Sequence, residues 1–357
     1  MHQDNNKRDF KATPSSNRTE QSRGDIRHPN VTSGRNQPKS NNTTKNGTLS
    51  INCNIPVLPV IIVMILLIVT EKILTIGTLS NQNPYISLVL VQFLVYLLPC
   101  AFFSAIVNSK STGGLSRYNF RMFSPKHFGF IIFSLAVLIF GNMSMKYLGY
   151  ILFGSVNTAT VIGADENIIA LIASTVIVPA LAEEILFRGI VFTEYENNGV
   201  GAYGAILGSS LLFTFMHFDG ANFIIYIFSG IILGVTLHMT RSLAATILIH
   251  LLNNGICLFT DTFLKRVSKE SISSFFVIFI LLTFFLLSVF FWLECAEYIC
   301  NSKAERISKY DKETEKYNYS RLVPGGVSRR TIISSIVTSP IFIITFVLYL
   351  IKIFIIK

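Results

Sequence analysis

Charge is what this chain has least of. Only 14% of its 357 residues are Asp, Glu, Lys or Arg, against 51% hydrophobic, and the mean hydropathy of +0.53 excludes an ordinary soluble domain. The five cysteines, Cys53, Cys100, Cys257, Cys295 and Cys300, form no CxxC pair and lie in or near apolar segments. They read as small packing residues rather than a metal or redox site. No phosphate-binding glycine loop, nucleic-acid module or internal repeat is present, so nucleic acid is not an expected partner. The period-two alternation of transmembrane barrel strands is missing as well.

What the chain has instead is long apolar runs. Windows near the spanning length of about 20 residues occur at 55–79, 84–107, 128–151, 166–192, 200–218, 222–240, 242–260, 272–299 and 331–356. They are continuous and rich in Leu, Ile and Phe. The expected fold is all-α, a polytopic transmembrane helical bundle of about eight to nine helices with a disordered N-terminal tail. Residues 1–50 form that tail, since they are crowded with Asn, Ser, Thr, Lys and Arg and hold too little apolar surface to fold. They show no signal-peptide pattern. The rest divides into N-terminal helices and a loop at 51–127, a core at 120–260, and C-terminal helices at 261–357 with a charged loop at 300–330.

Basic residues suggest the orientation. The tail carries an excess of Lys and Arg, and the 108–127 loop has Lys110, Arg117, Arg121 and Lys126 with no acid. The positive-inside rule places both in the cytoplasm, and the basic 300–330 segment falls there by parity. Residues 261–270 dissent, because Lys265, Arg266 and Lys269 would lie outside with Asp261 and Glu270. The chain is rich in Ile, Asn, Lys and Phe, which points to an AT-rich bacterial coding sequence and hence to a bacterial cell membrane, with lipids as partners.

Against this background the run Glu183-Glu184-Ile-Leu-Phe-Arg188 stands out. Each ionisable group at bilayer depth costs about 2.5–3.5 kcal/mol even on lenient scales, so three in six residues require a return. Glu184 and Arg188 are four apart and meet on one helix face. Glu183 points about 100° away and needs a partner elsewhere in the bundle. Pro179, four residues earlier, is expected to kink the helix beside the acids. Candidate partners are His217, Asp219, His250, Asn253 and Asn254; Asn254 shares the face of His250.

Helix rise places these groups at comparable depths. Counted from turns near 197–200 and 241, Glu183 lies roughly 21 Å in, His217 about 25 Å, His250 about 13 Å and Asn254 about 19 Å. His238 sits beside a turn and is left out. Taken singly, an intramembrane His or Asn is an interhelical hydrogen bond worth about 0.6 kcal/mol, and Phe213 is core packing. Together they supply a base, a second acid/base and donors for an oxyanion.

The order EExxxR (Glu183, Glu184, Arg188), FxxxH (Phe213, His217) and HxxxN (His250, Asn254), each on its own expected helix, resembles the CAAX-protease and bacteriocin-processing (CPBP, or Abi) family of intramembrane proteases. The resemblance covers about residues 120–260 and leaves the tail and C-terminal helices aside. It implies an endopeptidase with a water-accessible cavity inside the bundle. Glu183 would be the base on the attacking water with His217 assisting, and His250 and Asn254 would hold the oxyanion. Glu184 and Arg188 would position the first carboxylate. Substrates implied are peptides or membrane-associated, lipidated or bacteriocin-like proteins.

Two further alternatives stay open on the sequence. Family members have been treated as metal-dependent, and Glu183, His217 and His250 are an O, N, N set that could hold zinc with a position left for water. The soluble HExxH pairing is absent, so no two of these histidines share a helical turn, and metal-free water activation is favoured. The other alternative is a transporter, or a non-proteolytic immunity protein, using the buried acids as a path. It would be expected to show repeated halves, which this sequence lacks. The oligomeric state is not legible.

Overall fold

The computed structural model describes residues 51–76, 89–109, 118–153, 168–269, 274–310 and 327–355; the expected disordered tail, 1–50, lies outside them. The described residues are helical and contain no strand. In chain order the helices are α1 (Leu58–Ile76), α2 (Leu98–Ser109, entered through a π turn at Gln92–Leu97), α3 (Phe128–Phe153), α4 (Ile168–Asn197), α5 (Gly201–Met216), α6 (Phe223–Thr240), α7 (Leu243–Lys269), α8 (Ser274–Tyr310), α9 (Arg329–Val337) and α10 (Pro340–Phe354). Among the described residues, seven helices are long and apolar enough to cross a membrane, or eight if α9 and α10 count as one span.

Four expectations are corrected by this arrangement. The run at 331–356 is not one straight helix: α9 and α10 meet at 61°. Pro340 forces the residue before it out of helical geometry, and Ser339 is accordingly extended at φ −61°, ψ 126°. The break is secured from elsewhere, since Asn54 Oδ1 accepts from Ser339 Oγ at 2.7 Å and from the Ile341 amide at 3.4 Å. Next, residues 261–269 are helix rather than connection, and residues 300–310 of the expected 300–330 loop are helix as well. Both stretches lack Gly and Pro and are rich in good helix formers, so nothing ends the helix at the edge of its apolar run. Last, α5 has 16 residues, about 24 Å, and falls short of a full crossing.

One end of the bundle is tied by a compact polar knot. Arg121 Nε donates to Arg241 O at 2.6 Å, Ser242 Oγ donates to Arg121 O at 2.6 Å, and the Leu243 amide donates to Asn119 O at 3.1 Å. Arg241 takes left-handed backbone at φ 51°, and its guanidinium donates to Glu196 Oε2 at 2.6 Å. His238 belongs here, 3.9 Å from Glu196. The segment before α3, the end of α4 and the α6–α7 turn are thereby fixed side by side.

Between helices, aromatic stacking and small residues set the spacing. Antiparallel α3 and α8 stack Phe130 on Trp292, Phe133 on Phe291 and Phe140 on Phe284 at 5.1–5.5 Å. Where α5 crosses α6 the contact is much closer, because Gly230 faces Ser210. A Cβ on Gly230 would lie 2.8 Å from Ser210 Cβ and 3.0 Å from Ser210 Cα. Lipid tails give helices no hydrophobic incentive to associate, so close approach at small residues carries this packing.

That contact predicts a stability effect. Gly230→Ala should lower the melting temperature in detergent, at a cost of about 1–3 kcal/mol for overpacking, because α5 must move away. Adding Ser210→Gly should recover part of the loss; unchanged melting of the single variant would show that the crossing has slack.

Candidate active site

Helix α4 carries the acids in an unusual frame. It is continuous through Pro179, and the place of the expected kink is taken by register changes: π turns at Ala173–Ile177 and Ile185–Val191 flank a short α segment, Val178–Glu184. Proline lacks the amide that an unbroken α-helix would use, and a π turn absorbs such a change of register, frequently beside functional groups. Glu183 and Glu184 close the α segment.

Glu184 and Arg188 are fully buried. Arg188 Nη1 donates to Glu184 Oε1 at 2.8 Å, and Nη2 donates to Gly230 O on α6 at 3.2 Å. The guanidinium also lies 4.5 Å from the centre of the Phe213 ring, a cation–π arrangement that is favourable where water is excluded. The same Glu184 Oε1 is 2.8 Å from His250 Nδ1 on α7. A carboxylate only accepts, so Nδ1 carries the proton and Nε2 is turned toward the cavity.

His217 is oriented in the same way by a different group. Its Nδ1 lies 2.8 Å from Phe213 O, a carbonyl that only accepts, so here too Nε2 faces inward. Tyr226 of α6 stacks on the imidazole at 3.9 Å between centroids, and Phe213 packs on its other neighbours at 4.6 Å from His217 and 5.9 Å from His250. The outcome is that both Nε2 atoms address one carboxylate oxygen: Glu183 Oε2 is 3.9 Å from His217 Nε2 and 3.8 Å from His250 Nε2. These separations exceed a direct hydrogen bond and suit a small bridging group.

Glu183, Phe213, His217, His250 and Asn254 line one cavity of about 350 Å³. Asn254 sits one turn beyond His250, and its side chain makes no hydrogen bond among the described residues, whereas Asn253 Oδ1 accepts from Asn142 Nδ2 at 3.3 Å and Asn142 Oδ1 accepts from Ser229 Oγ at 3.4 Å. Asp219 is not brought to Glu183. It caps the α5–α6 turn, accepting from the Ala221 and Asn222 amides at 2.9 and 3.2 Å. Among the described residues no group of three His, Cys, Asp or Glu side chains is arranged as a metal site.

Sequence reading missed part of the wall. Asn142, Lys146 and Tyr226 line the cavity. Asn142 and Lys146 are four apart within the apolar run of α3, the same signal of polar groups on one helix face that singled out Glu184 and Arg188. Tyr226 carried no such mark; an aromatic in an apolar helix is ordinary until its neighbour is known.

The comparisons agree with the motif reading. Residues 165–256, which contain all three motifs, match the family described as type II CAAX prenyl endopeptidase Rce1-like, consistent with the CPBP resemblance. No curated protein and no solved structure matches the chain. Apolar helices of spanning length make this an integral membrane protein, and its residues 165–256 are similar to a CAAX prenyl endopeptidase family.

Arg188 provides the test of the buried network. Removing one partner of a buried ion pair costs about 3–5 kcal/mol, so Arg188→Ala should lower the melting temperature in detergent together with any activity. Arg188→Lys should fall between, since an ammonium cannot reproduce the planar fork that reaches Glu184 and Gly230. Loss of activity at unchanged melting would assign Arg188 a direct role in the reaction.

Proposed function

We propose that this protein is an intramembrane endopeptidase in which Glu183 and His217 activate water and His250 and Asn254 hold the oxyanion. One observation carries the reading: two imidazole Nε2 atoms approach the same Glu183 oxygen, at 3.8 and 3.9 Å, in a cavity inside an apolar bundle. A water between Glu183 Oε2 and His217 Nε2 donates a hydrogen to each, because both are acceptors in the arrangement fixed by Phe213 O. That leaves a lone pair of the water oxygen for the scissile carbonyl.

The other histidine, His250, is held by Glu184 through Nδ1; as the imidazolium it presents Nε2–H to the oxyanion. The side-chain amide of Asn254 is the second donor, and preorganised donors of this type are commonly the largest catalytic contribution. The atoms balance: the water proton passes to Glu183, hydroxide adds to the carbonyl carbon, the C–N bond breaks, and the amine leaves with the proton returned by Glu183.

The substrate class is an extended peptide segment at the membrane, in a membrane-associated or lipidated protein or a bacteriocin-like peptide. Tyr226, Phe213, Leu138 and Leu233 give the cavity apolar walls, and Asn142, Asn222 and Asn253 offer hydrogen bonds to a peptide backbone.

Purified protein in detergent, incubated with a peptide library and read by mass spectrometry, tests the function. Glu183→Gln should remove cleavage while the melting temperature is kept, because an amide cannot accept the proton; the loss should be about 10²–10⁴-fold, as for a positioned general base. Cleavage that survives in Glu183→Gln would overturn the assignment.

Chelation tests the mechanism separately. Exhaustive treatment with a chelator should leave cleavage largely unchanged. Abolished activity restored by zinc, with about one metal per chain as a single three-ligand site requires, would replace water activation by a metal centre at Glu183, His217 and His250.

A further inference from the structure

Outside the three motifs, one polar chain crosses the wall of the cavity. Ser229 of α6 donates from Oγ to Asn142 Oδ1 at 3.4 Å, and Asn142 of α3 donates from Nδ2 to Asn253 Oδ1 of α7 at 3.3 Å. All three residues line the cavity, yet they are only 8%, 4% and 8% exposed in that order. Polar side chains so far from water are kept only where hydrogen bonds replace it.

The chain has a direction, and Ser229 sets it. An asparagine side chain offers an acceptor at one end and donors at the other, so two amides in a row can run either way. The hydroxyls of Ser134, Ser144 and Ser210 give their protons to carbonyls one turn back in their own helices. Ser229 makes no such bond among the described residues, and its one proton goes to Asn142 Oδ1. Asn142 is thereby turned with Nδ2 toward α7, and Asn253 meets it with Oδ1. What Asn253 has left is Nδ2, which makes no hydrogen bond among the described residues and is offered to the cavity.

The place of this donor is fixed by its neighbours. Asn253 follows His250 by three residues and precedes Asn254, so on a helix of 3.6 residues per turn the two amides stand side by side one turn beyond the imidazole, about 60° to one side of it and about 40° to the other. The chain is anchored where it begins, because the Gly230 carbonyl next to Ser229 accepts from Arg188 and Tyr226, one turn earlier, stacks on His217. An extended peptide advances about 3.3 Å per residue. With its scissile carbonyl at His250 and Asn254, a neighbouring carbonyl comes within reach of the adjacent amide.

We infer that Asn253 is a substrate-binding residue: its Nδ2 donates to a peptide carbonyl beside the scissile one, and Ser229, acting through Asn142, holds it in that donating orientation. This rests on the endopeptidase reading of the site. A bond to a carbonyl is indifferent to the side chains around it, so the contact sets the register of the peptide backbone and not its sequence.

The test pairs enzyme variants with backbone-modified substrates. A peptide cut by the detergent-purified protein is resynthesised with a thioamide in place of one amide at a time, within two residues of the scissile bond on either side. Sulfur is the weaker acceptor, so the wild-type protein should lose about 3–10-fold in kcat/KM at one position, the worth of one neutral hydrogen bond, with the change in KM rather than kcat. Asn253→Ala should lose a similar factor on the unmodified peptide and nothing further from the thioamide at that position, since the two changes remove the same bond. Ser229→Ala, which frees the amides to turn over, should reproduce part of this pattern at an unchanged melting temperature. A wild-type protein with no position-specific loss would overturn the inference even if Asn253→Ala failed to fold. Losses that add at every position would show that Asn253 is structural, again overturning it, while cleavage abolished by Glu183→Gln left the protease standing. If the wild-type protein cuts no peptide, the endopeptidase reading falls and this inference with it.

Discussion

The ion pair between Glu184 and Arg188, without solvent exposure on either side chain, is the constraint on which the centre of this bundle depends. Charges removed from water are tolerated only when neighbours replace the lost hydration, and here the neighbours come from three other helices. Gly230 of α6 offers a carbonyl, His250 of α7 an Nδ1–H, and Phe213 of α5 the face of its ring. Meeting the needs of one guanidinium and one carboxylate thus fixes the relative positions of α4, α5, α6 and α7. The same bonds set the direction in which His250 presents Nε2.

Close packing is what makes these contacts reachable. The Gly230 carbonyl can serve Arg188 because α6 carries no Cβ where it packs against Ser210 of α5, and two π turns in α4 flank the short α segment that ends in Glu183 and Glu184. Around this core the polar groups of the cavity wall are linked in a chain, Ser229 to Asn142 to Asn253. Asn254 makes no side-chain hydrogen bond among the described residues. Rigidity at the charged pair and openness at Glu183 are adjacent features of one helix.

The sequence by itself determined the class of fold and the identity of the central groups. Long apolar runs without alternation can only be helices in a membrane, and the cost of burying Glu183, Glu184, Arg188, His217 and His250 makes them visible against that background wherever they lie. The i,i+4 contact of Glu184 with Arg188 was legible for the same reason, being local. Tertiary structure alone decided what depends on neighbours distant in sequence: that His250 gives its Nδ1 to Glu184, that Tyr226 stacks on His217, that Asn142 and Lys146 join the wall, and that Asp219 serves a turn. The 61° break before Pro340 and the extension of α7 and α8 beyond their apolar runs belong to this second group as well. Hydropathy registers how apolar a segment is, whereas where a helix stops and which way a ring turns are set by hydrogen-bond partners and packing that come together only in the folded bundle.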